Sequence, residues 1–133
     1  MLTVDKQVTL VINGPPPVSL NVQERLHWAT RQRLRDWWAE QSFRSWLQAG
    51  RPTFKRPAVQ YRVFYATNRR RDADNVVASC KPILDGLKGN AFTDDHSGVV
   101  TILPPIIGVD KQRPRVEIVI RETQVAKQLG AEG

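Results

Sequence analysis

The 133-residue sequence predicts an α+β fold: a single domain in which one mixed β-sheet is packed by helices, in the order β-α-β-α-β-β. Three observations predict it. Apolar residues alternate with period two near residues 7–12, 58–66 and 115–121. The stretches 22–48 and 76–88 carry helical patterns instead. The length suits one core, and 41% apolar with 25% charged residues excludes wholesale disorder.

The elements follow in order. Val8, Leu10 and Ile12 define a first strand that stops at Asn13-Gly14. Pro15, Pro16 and Pro17 fit neither a helix nor a sheet interior, so they form a stiff extended connector. From Val22 to Gln48 there is no Pro or Gly, and Arg, Gln, Leu, Ala and Trp favour one long helix, with Ser19 or Asn21 as its cap and Gly50-Arg51-Pro52 as its stop. Val59, Tyr61, Val63 and Tyr65 share one face of a second strand. Val76, Val77, Cys80, Ile83, Leu84 and Leu87 give a second helix; Pro82 either kinks it or starts another, and Gly89-Asn90 ends it. Residues 99–107, broken by Pro104-Pro105, and 115–121 predict two strands, and the short polar link between them predicts an antiparallel hairpin. The domain is expected over 1–122, followed by a polar tail over 123–133.

Charge narrows the function. Lys and Arg number 20 against 13 Asp and Glu, for a net charge of +7, which points to a polyanionic partner, nucleic acid first. One cysteine, Cys80, excludes an intrachain disulfide and a Cys-based zinc site; with only two histidines, any metal must sit on oxygen ligands. No run of 18 apolar residues exists and no signal-peptide pattern opens the chain, so the expected location is cytoplasmic, without a membrane.

Five of the 13 carboxylates fall between 72 and 95: Asp72, Asp74, Asp85, Asp94 and Asp95, directly after Arg69, Arg70 and Arg71. Arginines draw in phosphates, whereas carboxylates repel them unless a divalent cation stands between. The competing explanation is local: Asp-x-Asp-Asn ahead of a helix is also a capping sequence. On a continuous helix, Asp74, Lys81, Asp85 and Lys88 share the face opposite Val76, Cys80, Ile83 and Leu87. Lys81 could meet a phosphate there, or the row could be an ordinary solvated Lys/Asp face.

Arg69-Arg70-Arg71-Asp72-Ala73-Asp74-Asn75, then Lys81-Pro82-Ile83-Leu84-Asp85-Gly86-Leu87, then Asp94-Asp95 resembles the RusA family of Holliday-junction resolvases, which are encoded largely by phages and prophages. The opening strand, the Gly14–Pro17 turn and the closing strands extend the resemblance over most of 7–122. It implies a Mg²⁺-dependent endonuclease, with Mn²⁺ as a substitute, that acts as a homodimer and places paired nicks in four-way junction DNA. It implies Asp72, Asp74 and Asp95 as catalytic metal ligands, with Asp94 the alternative to Asp95. The family places a lysine four residues after the second Asp, which is Ala78 here; three residues are nearly one helical turn, so the catalytic lysine carries over to Lys81. Arg69, Arg70 and Arg71 would grip backbone phosphates.

Other residues stay open at this level. Lys111, Arg113 and Arg115 could touch a second DNA arm or simply solvate a turn. Trp28, Trp37, Trp38 and Trp46 interleave with arginines; Trp37 and Trp38 point about 100° apart, so one can pack in the core while the other meets a partner or an unstacked base. His96 has no assigned role, and Cys80 is a small core residue. Two rival functions compete: a non-catalytic DNA-binding module whose Asp residues are caps, and a metal-dependent nuclease for another branched or single-stranded DNA.

Overall fold

The first alternating segment forms β1 (Gln7–Asn13), which buries Leu10 and Ile12 and turns Thr9 and Val11 outward. The computed structural model of the chain describes residues 6–92 and 100–123. Gly14 takes φ 120°, open to glycine at low cost, and its N–H donates to the Pro114 carbonyl at 2.9 Å. The proline connector leads into α1 (Leu20–Arg25), where the Ser19 hydroxyl accepts from the Val22 N–H at 3.4 Å as the cap.

The single helix expected over 22–48 is two. Leu26 is extended (ψ 149°), and α2 (Trp28–Gln48) begins anew with His27, whose Nδ1 accepts from the Ala29 N–H at 3.3 Å. A side-chain acceptor satisfies a first-turn N–H and so starts a helix without Pro or Gly to mark the break. Gly50, at φ 93°, follows the end of α2.

β2 (Pro57–Tyr65) buries Val59, Tyr61 and Val63 on one face, as the alternation predicts. The second helical pattern divides at Cys80 into α3 (Ala73–Ser79) and α4 (Lys81–Asp85). Pro82 lies in the first turn of α4, where its missing N–H costs no helical bond. Val76, Cys80, Ile83 and Leu87 are all buried, so the apolar stripe survives the break. Pro104-Pro105 splits the next segment into β3 (Thr101–Ile102) and β4 (Ile106–Val109), and β5 (Arg115–Glu122) closes the fold.

The sheet runs β1-β5-β2, with β3 and β4 both on the far edge of β2. It is mixed: β5 is antiparallel to β1 and β2, while β3 and β4 run parallel to β2. The hairpin expected between 99–107 and 115–121 is therefore not formed. β5 lies between β1 and β2, and residues 110–114 pass over the end of β2. The cause is burial: β5 hides Val116, Ile118 and Ile120 on one face and Val119 on the other, and an interior position suits a strand that is apolar on both faces. The tail lies outside the described residues beyond Thr123, whose N–H donates to the Arg56 carbonyl at 2.9 Å.

Helices cover one sheet face. Trp38 and Trp46 of α2 join Leu10, Ile12, Tyr61, Val63, Ile118 and the α3–α4 stripe in one core. α2 and α4 approach closely: a Cβ on Gly86 would sit 2.2 Å from the Ala39 carbonyl oxygen. Beside that contact the buried Ser42 hydroxyl donates to the Ile83 carbonyl at 2.7 Å. The other sheet face buries Val119 and Ala58 and carries a charged cluster. There Arg115 lies 4.1 Å over the Phe64 ring and pairs with Glu117 and Asp110, both at 2.8 Å.

Candidate functional site

β2 delivers Tyr65 to the end of the sheet, and the basic run Arg69–Arg71 begins four residues later. Arg71 folds back over the Tyr65 ring at 3.5 Å and donates to the Thr67 carbonyl at 3.0 Å and the Arg69 carbonyl at 3.1 Å. It clamps its own loop. Arg69 and Arg70 are exposed.

Asp72 is the N-cap of α3, with Oδ2 accepting from the Asn75 N–H at 3.2 Å. The capping explanation is thus realised, yet it engages one carboxylate oxygen. The same side chain lines a cavity of about 170 Å³ together with Ser19, Tyr65, Arg70, Arg71 and Asn75. Burial, with a smaller contribution from Cys80, raises the Tyr65 phenol above 10.0 against the pull of Arg71, so Tyr65 shares the cavity with Asp72 and Arg70 as a neutral phenol. Burial likewise pushes the Cys80 thiol up to about 12, which leaves it an inert core group.

The other expected residues distribute around this cavity. Asp74 is exposed in the first turn of α3 and has no hydrogen-bond or ion-pair partner among the described residues; it does not line the Asp72 cavity. Lys81 lines a smaller neighbouring cavity with Ala78, Asp85 and Arg35, so it does share a surface with the position where the family pattern puts its lysine. Asp85 pairs with Lys88 at 3.7 Å, which is the ordinary Lys/Asp face in part. Asp94, Asp95 and His96 lie outside the described residues. Among the described residues no three Asp, Glu, His or Cys side chains lie together as a metal-holding group.

Lys111 and Arg113 are exposed on the loop after β4. Asp110 shapes that loop: Oδ1 accepts from the Gln112 and Arg113 N–H groups at 3.2 and 3.0 Å, and the Arg115 hydrogen bond, its main partner, holds the carboxyl below its usual range. The Asp110 N–H donates to the Tyr65 carbonyl at 2.8 Å. That bond places Lys111 and Arg113 at the same end of β2 as Arg69–Arg71, although 40 residues separate them in sequence. Tyr65 and Ser19 are site residues that sequence reasoning missed. The signal for Tyr65 was its place at a strand end four residues before the arginines.

No helix among the described residues is long and apolar enough to cross a membrane. No protein-family model and no curated protein matches the sequence.

Proposed function

We propose that this chain is a Mg²⁺-dependent endonuclease of the RusA type that nicks four-way DNA junctions, acting as a homodimer in the cytoplasm. The observation that carries the reading is a carboxylate, Asp72, in one cavity with Arg70, in a chain of net charge +7. A phosphodiester drawn to Arg70 would meet Asp72 as a repelling neighbour unless a cation neutralised it. Asp72, with one oxygen left over from its cap bond, and Asp74, exposed in the first turn of the same helix, would supply hard oxygen donors suited to Mg²⁺, and Asp95 would complete the set. When bound, Mg²⁺ polarises the scissile phosphate and activates water.

The chain's own groups do the remaining work. Arg69 and Arg70 hold phosphates, as do Lys111 and Arg113 from the adjoining loop. The neutral Tyr65 hydroxyl can donate to a phosphate oxygen. Lys81 offsets negative charge that develops at the leaving oxygen.

The test is Mg²⁺-dependent nicking of a synthetic mobile four-way junction. The wild-type chain nicks in pairs, and Asp74→Asn loses nicking while keeping junction affinity. An Asp74→Asn variant that cuts at the wild-type rate refutes the assignment. The Asp72 cap bond favours a second reading, a DNA-binding module without catalysis, for which tight junction binding and no divalent-dependent nicking is the expected result. Faster cleavage of forks, flaps or single strands than of junctions would change the substrate instead.

A further inference from the structure

We propose that the groove between the proline connector and α2 holds one unstacked nucleobase of a DNA strand, beside the Asp72 cavity. This rests on the DNA reading above and assigns the strand a second contact point.

The groove measures about 400 Å³ and is walled by Pro15, Pro16 and Pro17 on one side and by Leu34, Trp37 and Trp38 on the other. Trp38 is 7% exposed and belongs to the core, whereas Trp37 keeps 43% of its surface open. The two rings meet edge-on at 4.8 Å, so the core tryptophan props the open one in place. Proline rings and an indole face offer flat apolar surfaces, the kind that bases stack on regardless of sequence.

Charge selects the occupant. Among the described residues, the charged side chains lining the groove are Arg31 and Arg35, with no carboxylate. Aromatic walls beside two guanidiniums match a ring carrying a phosphate. A second copy of the chain, docked through the same face about a two-fold axis, would bring its own Arg31 and Arg35 against these in a +7 protein. Position agrees as well. Ser79 lines both this groove and the Asp72 cavity, and Arg35 and Pro82 line both the groove and the Lys81 cavity. The three hollows adjoin one another, so the proposed strand, with a phosphate at Arg70, extends from the Asp72 cavity to Trp37.

The experiment uses the whole chain without divalent cation and a single-stranded oligonucleotide carrying one 2-aminopurine, read by its fluorescence. Stacking on Trp37 quenches the probe on binding. Trp37→Ala weakens binding roughly 5- to 150-fold and removes the quench, whereas Trp37→Phe, which keeps a ring, retains most of both. Trp28→Ala, at a tryptophan 69% exposed and outside the groove, leaves both unchanged. Circular dichroism identical to wild type shows that the fold survives. Unchanged affinity in Trp37→Ala overturns the proposal. So does a switch from dimer to monomer in sedimentation with unchanged affinity, which would give the face to a second copy. The nuclease reading fails separately: quenching without Mg²⁺-dependent nicking refutes that reading and leaves the groove, and nicking with affinity indifferent to Trp37 does the reverse.

Discussion

Replacing Gly86 with alanine tests the close backbone approach of α4 to α2. The new Cβ would lie 2.2 Å from the Ala39 carbonyl oxygen and 2.9 Å from the Ala39 carbonyl carbon. These are backbone atoms, so no rotamer change relieves the clash, and α4 must move about 1 Å from α2. A shift of that size stretches the buried Ser42–Ile83 bond from 2.7 Å beyond hydrogen-bonding distance. Overpacking of this kind costs about 1–3 kcal/mol, and a lost buried hydrogen bond about 1 kcal/mol more. One effect opposes them. Gly86 sits at φ −69°, ψ −16°, where alanine is at ease, and the stiffer unfolded chain stabilises by about 0.4–1 kcal/mol. The steric effect wins, with a net loss of about 1.5–3 kcal/mol. For a chain of this length that lowers Tm by about 5–15 °C. Urea and thermal unfolding followed by circular dichroism read it. Two companion variants sharpen the result: Ala39→Gly does not rescue, because the obstructing atoms are main chain, and Ser42→Ala costs less in the Gly86→Ala background. Lys81 rides on α4, so junction nicking falls with the displacement. A Gly86→Ala protein as stable as wild type would refute the α2–α4 contact and this account of the motif glycine.

Three further outcomes are expected. Asp72→Ala removes the α3 cap and costs about 0.5–2 kcal/mol in urea unfolding, whereas Asp72→Asn caps equally well, holds stability within a few tenths and still loses nicking. Cys80 makes stability fall in alkali: burial raises the folded thiol from 9.0 to about 12, so the contribution is complete below pH 9 and is lost at about 1.4 kcal/mol per pH unit as pH rises from there; Cys80→Ala removes that slope in urea titrations between pH 9 and 10, above which the Tyr61 and Tyr65 phenols, also raised by burial, add their own fall. Arg71→Ala lowers stability because it releases the Tyr65 stack and the Thr67 bond, whereas Arg70→Ala leaves unfolding unchanged and reduces the salt slope of DNA binding by about 0.9.

How far the sequence could be read differs from element to element. The faces of β1 and β2 and the stripe Val76–Cys80–Ile83–Leu87 were legible, because alternation and helical period are set by residues a few positions apart. The break before α2 was not, since His27 acts there as a cap and leaves no Pro or Gly mark. The place of β5 was half legible. Its unbroken Ile118-Val119-Ile120 run is the mark of a strand buried on both faces, but the short link from 108 to 114 suggested a hairpin more strongly. In the site, Asp72 was visible by its motif, while the partners it meets in the cavity, Tyr65 and Ser19, come from a strand end and a helix cap with no motif of their own.

The sequence alone settled the α+β class, the run of buried faces and the basic charge, all of which depend on composition and near neighbours. Tertiary structure decided the rest: that Lys111 and Arg113 join Arg69 and Arg70 at one end of β2, that Asp72 and Lys81 line separate hollows, and that Trp37 stays open while Trp38 is buried. Those outcomes depend on which strand takes the middle of the sheet and on which side of α2 meets α4. Long-range packing chooses between such arrangements, and local periodicity is the same in all of them.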